Sequence, residues 1–445
     1  MIDIVLSFGL LLGAAPVSDS WLGFRGTGDG VATAQHLPLT WTENENVLWK
    51  IDLPGYGQSA PVVWKNQIFV TAVDGEQRDR GMILAYDRAK GVAAWKHTFE
   101  PTQKAKWSFS ISRAAPTPCV DATALFAFFE GGDVIALTHE GKPLWSRSLV
   151  KDYGEFQNGH GLSSSLAQTE SLLFVLIDHR GPSYLAALDK KSGMTIWKTE
   201  RKSRGSWTSP IVSTRDGRSS VIVSSNGSVA GYDAEKGHLL WEHEGLNGNT
   251  IPSAAPLADG RFLIGAGLGR MGGDAKDAAR SNCCIQLQEV NGKLVPKVAW
   301  SASKALANYA TPLAYRGHAY FVNSVGVVYC HDLKTGEECY AERIDGSCWA
   351  SPIGAGDHVY FFGKDGTTTV LKAGNQFEVV ARNRLWKAAK KETPANEEPK
   401  TQPERKEIAR EPSAEYLDPI VYGVAAVDGA FLIRTGKVLY SIGTK

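Results

Sequence analysis

The chain has 445 residues, with 48 Lys and Arg side chains against 47 Asp and Glu, which gives a formal net charge of +1 at pH 7. This balance excludes the broad basic surface of nucleic-acid-binding domains, so we expect no nucleic-acid partner. The six cysteines lack the spacing of a structural zinc site or of covalent haem attachment, and we expect no metal site.

The chain begins with an apolar stretch, residues 4–12, followed by small residues. This pattern predicts a secretory signal peptide over residues 1–20. The stretch is too short to span a bilayer as a helix, so no transmembrane segment is expected. No cysteine follows it, which argues against a lipid anchor and favours a periplasmic or secreted protein. The alternative is the N-terminus of a cytosolic protein.

From residue 85 onward the sequence repeats a short phrase: an apolar pair, a turn with Asp or Gly, and a closing aromatic. Asp and Gly supply a tight turn and the flanking residues roughly alternate, which is typical of β-hairpins. The closing aromatics recur at intervals of 40 to 59 residues, a period typical of repeat architectures. The copies are Ala85–Trp95, Ala136–Trp145, Ala187–Trp197, Gly231–Trp241, Leu287–Trp300 and Cys330–Tyr340.

A second pattern precedes each phrase: a small residue or Pro, then two apolar runs separated by a polar turn. Together the two patterns give four antiparallel strands per repeat, which is the composition of a propeller blade. The count predicts an all-β, eight-bladed β-propeller of four-stranded antiparallel blades, with seven blades as the alternative. The first strands start near Ser59, Ala114, Ser163, Ser209, Ser253, Ala310, Ala350 and Tyr422.

The last copy, from Tyr422, reaches the C-terminus with three strands. Residues 46–51, near the N-terminus, are similar to the strand that closes a blade with an aromatic. We therefore expect this N-terminal strand to pair with the last three strands and close the ring, which leaves no open sheet edge between blades. The periodic Trp residues are expected to be structural, each packing against the next blade.

A Pro-rich segment of mixed charge, at about residues 386–415, predicts a disordered insertion between the seventh and eighth blades. Residues 21–445 are otherwise expected to form a single domain, and we expect a monomer. Cys330 and Cys339 flank one hairpin turn, so an exported protein would be able to form a disulfide there, although the sequence does not fix it.

A ligand site is expected on the face where the last strand of one blade leads into the first strand of the next. These connections carry aromatic and polar side chains around one predicted channel mouth. Arg113 and Arg204 would hold an anion, and the Trp residues would stack on a flat ring or a sugar. The alternative is that these side chains only complete the loops and wedge adjacent blades. The candidate ligand-binding residues are Trp107, Arg113, His160, Arg204, Trp207, Asn249, Asn308, Tyr309 and Trp349.

The repeated Ala-x-Asp-x-x-x-Gly-x-x-x-Trp phrase resembles the repeat of pyrroloquinoline quinone (PQQ) dehydrogenases and of BamB-like outer-membrane assembly propellers. The stretches Trp21–Val31 and Trp49–Trp64 resemble the opening of exported bacterial PQQ-repeat proteins. The resemblance implies the propeller fold over most of the chain. Its main functional implication is a non-catalytic, BamB-like binding or scaffold protein, which meets a protein partner or a small-molecule or sugar ligand at the channel mouth.

The same resemblance raises the alternative of a PQQ-dependent oxidoreductase, whose quinone needs Ca²⁺ held by carboxylate and amide oxygens. No such ligand set and no catalytic residue is assignable from the sequence, so no cofactor is assigned. Some of those dehydrogenases carry a vicinal disulfide, which Cys283 and Cys284 would match, but their strand context favours two packed thiols on opposite faces. A carbohydrate-binding propeller is the third hypothesis, from the same aromatic-lined mouth.

Overall fold

The structure, a computed structural model, describes residues 19–34, 36–75, 78–104, 112–268, 274–386 and 419–444. These residues form eight sheets, each containing four antiparallel strands, arranged as the blades of a propeller. The predicted fold class and the count of eight blades are confirmed. The predicted signal peptide, apart from its last two residues, and the predicted insertion, apart from Trp386, lie outside the described residues.

Two short strands precede the first blade, β1 (Val31–Ala32) and β2 (Val47–Asp52). Blade one contains β3 (Val62–Trp64), β4 (Gln67–Asp74), β5 (Arg80–Asp87) and β6 (Ala93–Phe99). Blade two contains β7 (Cys119–Val120), β8 (Leu125–Phe128), β9 (Asp133–Leu137) and β10 (Pro143–Ser148), and is followed by the helix α1 (Leu149–Tyr153). Blade three contains β11 (Ala167–Gln168), β12 (Leu172–Ile177), β13 (Ser183–Asp189) and β14 (Thr195–Arg201).

Blade four contains β15 (Ile211–Arg215), β16 (Arg218–Ser225), β17 (Ser228–Asp233) and β18 (Leu239–Glu244). Blade five contains β19 (Ala255–Pro256), β20 (Phe262–Ile264), the helix α2 (Ala275–Arg280), β21 (Cys283–Val290) and β22 (Lys293–Ser301). Blade six contains β23 (Leu313–Tyr315), β24 (His318–Val322), β25 (Val327–Asp332) and β26 (Glu338–Arg343). Blade seven contains β27 (Ile353–Ala355), β28 (His358–Phe362), β29 (Thr367–Lys372) and β30 (Val379–Arg384), and blade eight begins with β31 (Gly423–Val427), β32 (Ala430–Arg434) and β33 (Val438–Gly443).

The ring closes through β2, which pairs antiparallel with β33 and completes blade eight. This confirms the predicted pairing of an N-terminal strand with the last three strands. The other N-terminal strand, β1, was not expected and pairs in parallel with β27, so that blade seven has five strands. Both ends of the propeller domain are thereby held in the ring, and neither blade presents an open seam.

The repeated phrase forms the turn between the third and fourth strands of a blade. In blade three, Asp189 Oδ1 accepts the Ser192 N–H at 2.8 Å, and Gly193 ends the turn with a φ of 72°. That backbone conformation favours glycine. Ala187, the small first residue of the phrase, lies directly opposite Trp197 on the neighbouring strand, where it leaves room for the indole ring.

Each closing Trp docks on the turn of the next blade. The indole N–H of Trp145 in blade two donates to the Lys190 carbonyl in blade three at 2.8 Å. The ring lies against Gly193, where an added Cβ would be 2.6 Å from a Trp145 ring carbon. The periodic Trp residues are therefore structural, as predicted. The same hydrogen bond recurs as Trp49 to Arg88, Trp95 to His139, Trp197 to Ala234 and Trp300 to Leu333, at 2.7 to 3.1 Å.

One Trp departs from this rule for a reason visible in the sequence. The turn of blade five, at Asn291 and Gly292, lacks the Asp of the other turns. Trp241, which precedes it, has no hydrogen-bond partner for its indole N–H among the described residues, and stacks on Phe262 at 5.3 Å instead. Aromatic stacking thus replaces the hydrogen bond where the turn has changed.

A second set of bonds joins the first strands around the axis. The backbone N–H at the start of one blade donates to a hydroxyl of the next, at 2.8 to 3.1 Å. These hydroxyls explain the small residues that mark the strand starts in the sequence. The hydroxyl belt consists of Thr117, Ser165, Ser209, Ser253, Thr311 and Ser351.

The belt extends from blade one to blade seven and has no member among the described residues of blade eight. It is therefore interrupted on both sides of blade eight, including the seam between blades eight and one. There Gly423 lies so close to Ala60 that an added Cβ would be 2.6 Å from it. The buried Arg434 of blade eight bridges the seam instead, donating to the backbone carbonyls of Ser59 and Thr71 in blade one. Desolvation lowers the pKa of Arg434 to about 9, because none of the described carboxylates offsets the burial of its guanidinium.

Residues 21–32, here called the axial plug, lie inside the ring. The buried Arg25 fixes this segment, because its guanidinium donates to the Asp29 carbonyl within the plug and to the Pro312 carbonyl in blade six, both at 2.8 Å. The plug therefore fills one end of the axial channel. Its backbone contacts are Trp21 with Val63 in blade one, Leu22 with Val120 in blade two and Val31 with Gly354 in blade seven.

The thiols discussed above are all free: Cys283, Cys284, Cys330 and Cys339. Cys283 packs in the core shared with blade four and Cys284 in the core shared with blade six, on opposite faces of β21, as the strand context predicted. Cys330 and Cys339 are close enough for their thiols to share a hydrogen bond. A disulfide between these two in an exported protein stays a prediction.

Two glycine substitutions test how the Trp residues join the blades. Gly193→Ala should lower the free energy of unfolding by roughly 1–2 kcal/mol for the positive φ, and by about 1–3 kcal/mol more for the clash with Trp145. Gly292→Ala is the matched control, since its φ of 73° is the same and nothing lies within 4 Å of the added Cβ. Equal losses for the two variants in urea unfolding would contradict the role of the Trp contact.

Candidate functional site

The axial plug leaves a cavity of about 1470 Å³ in the other half of the ring. Trp21, Phe24 and Arg25 of the plug are among its lining residues, and so are the residues of the hydroxyl belt. The connections that lead into the first strands surround its mouth. The channel is therefore a funnel with one closed end, a shape that buries most of a ligand's surface.

Five of the nine predicted site residues line this cavity. All five lie in connections between blades, on the predicted face of the ring, and all are half-buried. Their binding role stays a prediction. The five residues are His160, Trp207, Asn308, Tyr309 and Trp349.

Three other predicted residues do not line it. Arg113 lies over the ring of Tyr56, with 4.8 Å between the guanidinium carbon and the ring centroid. Arg204 donates to Ser228 Oγ at 2.7 Å, within blade four. Asn249 is fully buried and its amide donates to the Ser228 carbonyl at 2.9 Å. Bonds that hold the protein itself therefore occupy all three side chains. Trp107 lies outside the described residues.

Four aromatic rings from neighbouring blades form one side of the mouth. The ring centroids of Tyr309 and Trp349 are 5.3 Å apart, and those of Trp349 and Tyr422 are 5.9 Å apart. Tyr422 and Tyr56 follow at 6.2 Å, with their hydroxyl oxygens 2.7 Å apart. We call these residues the aromatic arc (Tyr56, Tyr309, Trp349 and Tyr422), and all but Tyr56 line the cavity.

A second aromatic pair lies in the connections before blades three and four. The rings of His160 and Trp207 are 6.0 Å apart. Trp207 is fixed at two points, because its indole N–H donates to the Gly161 carbonyl at 2.9 Å and its backbone N–H donates to the Thr250 carbonyl at 2.8 Å. These bonds join three successive connections, so this wall of the funnel is held in one conformation.

Side-chain amides form the polar part of the lining. The oxygen of Asn158 accepts the His160 N–H at 3.1 Å, and that of Asn308 accepts the Ser324 N–H at 3.0 Å. Gln58 likewise accepts a backbone N–H at 2.8 Å. Their NH₂ groups have no hydrogen-bond partner in the part of the chain that the structure describes. Each amide is therefore oriented by its oxygen and presents its NH₂ group as a donor.

Sequence reasoning missed several lining residues because it considered only the connections between blades. The turns between second and third strands lie at the same face, since the strands of a blade are antiparallel. Arg78, Glu130 and Asn226 line the cavity from such turns. The alternating direction of successive strands would have placed these turns at the mouth. No local sequence feature predicted the axial plug.

Glu130 is a half-buried carboxylate of the lining. Both of its oxygens accept the N–H of Ala114, at 2.9 and 3.1 Å, and hold Ala114 at a φ of 46°. Burial raises the pKa of Glu130, while the hydrogen bond from Ala114 and the charge of Arg78 oppose that rise. Glu130 therefore stabilises the connection before blade two.

The described residues do not fit a calcium–quinone site. Among them, no group of three or more His, Cys, Asp or Glu side chains is placed to hold a metal ion. The lining carboxylates among the described residues are Glu130 and Glu155, and neither belongs to such a group. Both oxygens of Glu130 already accept the Ala114 N–H. No chemical step is therefore derived through PQQ.

A buried histidine supports the wall near His160. The Nδ1 atom of His179 accepts the N–H groups of Gln157 and Gly181, both at 3.0 Å. Nδ1 must be unprotonated to accept them, and burial lowers the pKa of His179, with the neighbouring Asp178 opposing the shift. Because Gln157 lines the cavity, His179 links the interior of blade three to the wall of the funnel.

Comparisons with known proteins agree with this architecture. A family model described as outer membrane protein assembly factor BamB matches residues 31–157 and 140–274, together more than half of the chain. No curated protein matches the chain in sequence. In the described residues, no helix combines the length and apolar character needed to cross a membrane.

Three solved structures illustrate the similarity in fold. BamB from Moraxella catarrhalis aligns with a TM-score of 0.58 and 13% identity, over 90% of this chain and 97% of that one. Quinohemoprotein alcohol dehydrogenase from Comamonas testosteroni aligns with a TM-score of 0.60 and 11% identity, over 96% and 81%. The computationally designed Ika8 protein aligns with a TM-score of 0.53 and 13% identity, over 89% and 99%. At these identities the likeness concerns the fold alone.

The role of His179 predicts a pH dependence of stability. Its pKa is lower in the folded protein than in the unfolded chain, so the unfolded chain binds more protons as the pH falls below about 6.5. The stabilising effect of neutral His179 is complete above that pH and declines below it. His179→Asn keeps an acceptor and does not titrate, so urea unfolding should show a smaller loss of free energy between pH 7 and pH 5 than in the wild type.

The exposed His238 provides the control for this experiment. His238→Asn should leave the pH dependence of the wild type in place. A His179→Asn curve parallel to that of the wild type over the whole range would show that His179 does not couple stability to pH.

Proposed function

The chain belongs to the family of PQQ-repeat propellers that the BamB family model describes, and from this premise we propose that it is a non-catalytic binding protein whose ligand enters the funnel. The observation that carries the proposal is the lining itself. Aromatic rings and amide NH₂ donors meet in a concave site of about 1470 Å³ with one closed end. Such a combination is typical of sites that hold a ligand by shape and hydrogen bonds.

The walls of the funnel support binding because they are fixed before a ligand arrives. Gln103 donates to the Phe156 carbonyl and accepts its N–H, both at 2.9 Å, and so joins the connections before blades two and three. Trp207 joins those before blades three, four and five. A site held in this way loses little conformational entropy on binding.

The family description is the basis for the biological role that we propose. Members are described as outer-membrane assembly factors, and for this chain we propose a comparable role in which the funnel receives a partner segment or a small ligand. We also propose export to the periplasm or the medium, based on the apolar residues 4–12. N-terminal sequencing of the protein recovered from outside the cytoplasm should find residues 1–20 removed, whereas an intact N-terminus in the cytoplasm would contradict export.

The binding proposal predicts a ligand-dependent stabilisation that requires the funnel. In a thermal-shift screen of the full chain against sugars, peptides and flat aromatic compounds, at least one class should raise the unfolding temperature. At a hundredfold excess over Kd the stabilisation is about 2.7 kcal/mol. Trp207→Leu and, independently, Trp349→Leu should abolish it, because each removes a wall of the cavity.

Trp64 is a half-buried Trp outside the funnel, and Trp64→Leu is the matched control that should keep the response. The proposal fails if no class stabilises the protein or if the response survives both funnel variants. It also fails if the protein, supplied with PQQ and Ca²⁺, reduces an electron-acceptor dye when alcohols or sugars are added. That result would establish the oxidoreductase alternative.

A further inference from the structure

We propose that the ligand of the funnel is an uncharged oligosaccharide, an inference that rests on the proposed binding function and names its ligand class. Three features of the lining point to it: amide donors distributed around the ring, aromatic surface on one side of the mouth, and charged side chains that mostly bond to other groups of the protein. Each feature excludes a different class of competing ligand.

The amide donors favour a ligand that has several hydrogen-bond acceptors. Gln58, Asn158 and Asn308 lie before blades one, three and six, so a ligand that meets more than one of them must extend across the mouth. Their NH₂ groups donate and cannot accept. Sugar hydroxyl and ring oxygens accept such bonds and recur along an oligosaccharide, whereas a flat hydrocarbon offers none.

The aromatic arc supplies the complementary apolar surface. Tyr309, Trp349 and Tyr422 line the cavity as a continuous series of rings. Lys364 lies over Trp349 at 5.2 Å, and Arg113 over Tyr56 at 4.8 Å, but neither cation lines the cavity. The arc therefore presents aromatic faces and edges to the ligand, which suits the apolar C–H face of a pyranose ring.

The charges of the lining do not favour an ionic ligand. Lys104 is paired with Glu100 at 2.7 Å, and Glu130 accepts the Ala114 N–H. Arg25 donates to two carbonyls of the protein, and Arg78 donates to the Ser112 carbonyl. Two other lining residues of opposite charge are exposed, Glu155 and Arg180. Because Arg180 is a cation, an acidic oligosaccharide is the competing outcome that the test must include. The cavity of about 1470 Å³ exceeds the roughly 300–1000 Å³ of ordinary small-molecule pockets. It therefore has room for several sugar units.

The decisive variant exchanges an amide for a carboxylate. In Asn308→Asp, the oxygen that accepts the Ser324 N–H remains, the volume is unchanged, and the NH₂ donor becomes an acceptor. Isothermal titration calorimetry of the full chain would use short cello- and malto-oligosaccharides and fully N-acetylated chito-oligosaccharides. We expect one of these neutral series to bind, and Asn308→Asp to weaken its binding by at least about tenfold.

Asn44 is exposed and lies outside the cavity, so Asn44→Asp controls for the added negative charge and should bind as the wild type does. Asn158→Asp is the second variant, used if Asn308→Asp unfolds, and should weaken binding to a similar extent. Wild-type affinity in both funnel variants would overturn the inference, because the sugar would then bind elsewhere.

Two further probes separate this inference from the proposed function. Binding of oligogalacturonates or of a hexapeptide library, with loss in Trp207→Leu and no response to the neutral series, would overturn the assignment to an uncharged oligosaccharide and leave the binding function intact. Failure of every class of probe would overturn the proposed function itself.

Discussion

The hydrogen bond from a Trp indole to the turn of the next blade is the contact on which the ring depends. The bond from the Trp145 indole N–H to the Lys190 carbonyl, for example, joins blades two and three. The positive φ of Gly193 lets the turn lie directly on the indole ring. One aromatic side chain thus buries apolar surface, satisfies a turn carbonyl and sets the distance to the next blade. Trp241 shows what happens when the turn changes, since stacking on Phe262 takes over.

This contact also divides the propeller into two faces with different tasks. The Trp-bearing turns join third and fourth strands, whereas the funnel opens where fourth strands lead into the next blade. The axial plug closes the channel from within, held by the buried Arg25. Desolvation lowers the pKa of Arg25 to about 10, which leaves it charged at neutral pH. The connections at the mouth therefore carry Trp207 and Asn308 on the face opposite the Trp-bearing turns.

The fold was predictable because its signals are local and recur. Trp145, Asp189 and Gly193 belong to one short phrase whose period gives the blade count, and residues 46–51 match the missing strand. The site was predictable only in part. His160, Trp207 and Trp349 line the funnel, but Arg204 and Asn249 bond within blade four, because the direction of a loop side chain depends on tertiary neighbours. The plug was missed because its partners lie hundreds of residues away.

The central claim is that one face of the ring is built for stability and the other for binding. Hydrogen–deuterium exchange of the full chain, with and without the compound that stabilises it most, tests this most directly. Protection on binding should appear in the connections at residues 155–162, 204–209 and 308–311, and exchange in the Trp-bearing turns, such as residues 189–193, should not change. Protection confined to those turns or to the outer strands would show that the ligand binds elsewhere and would contradict the account.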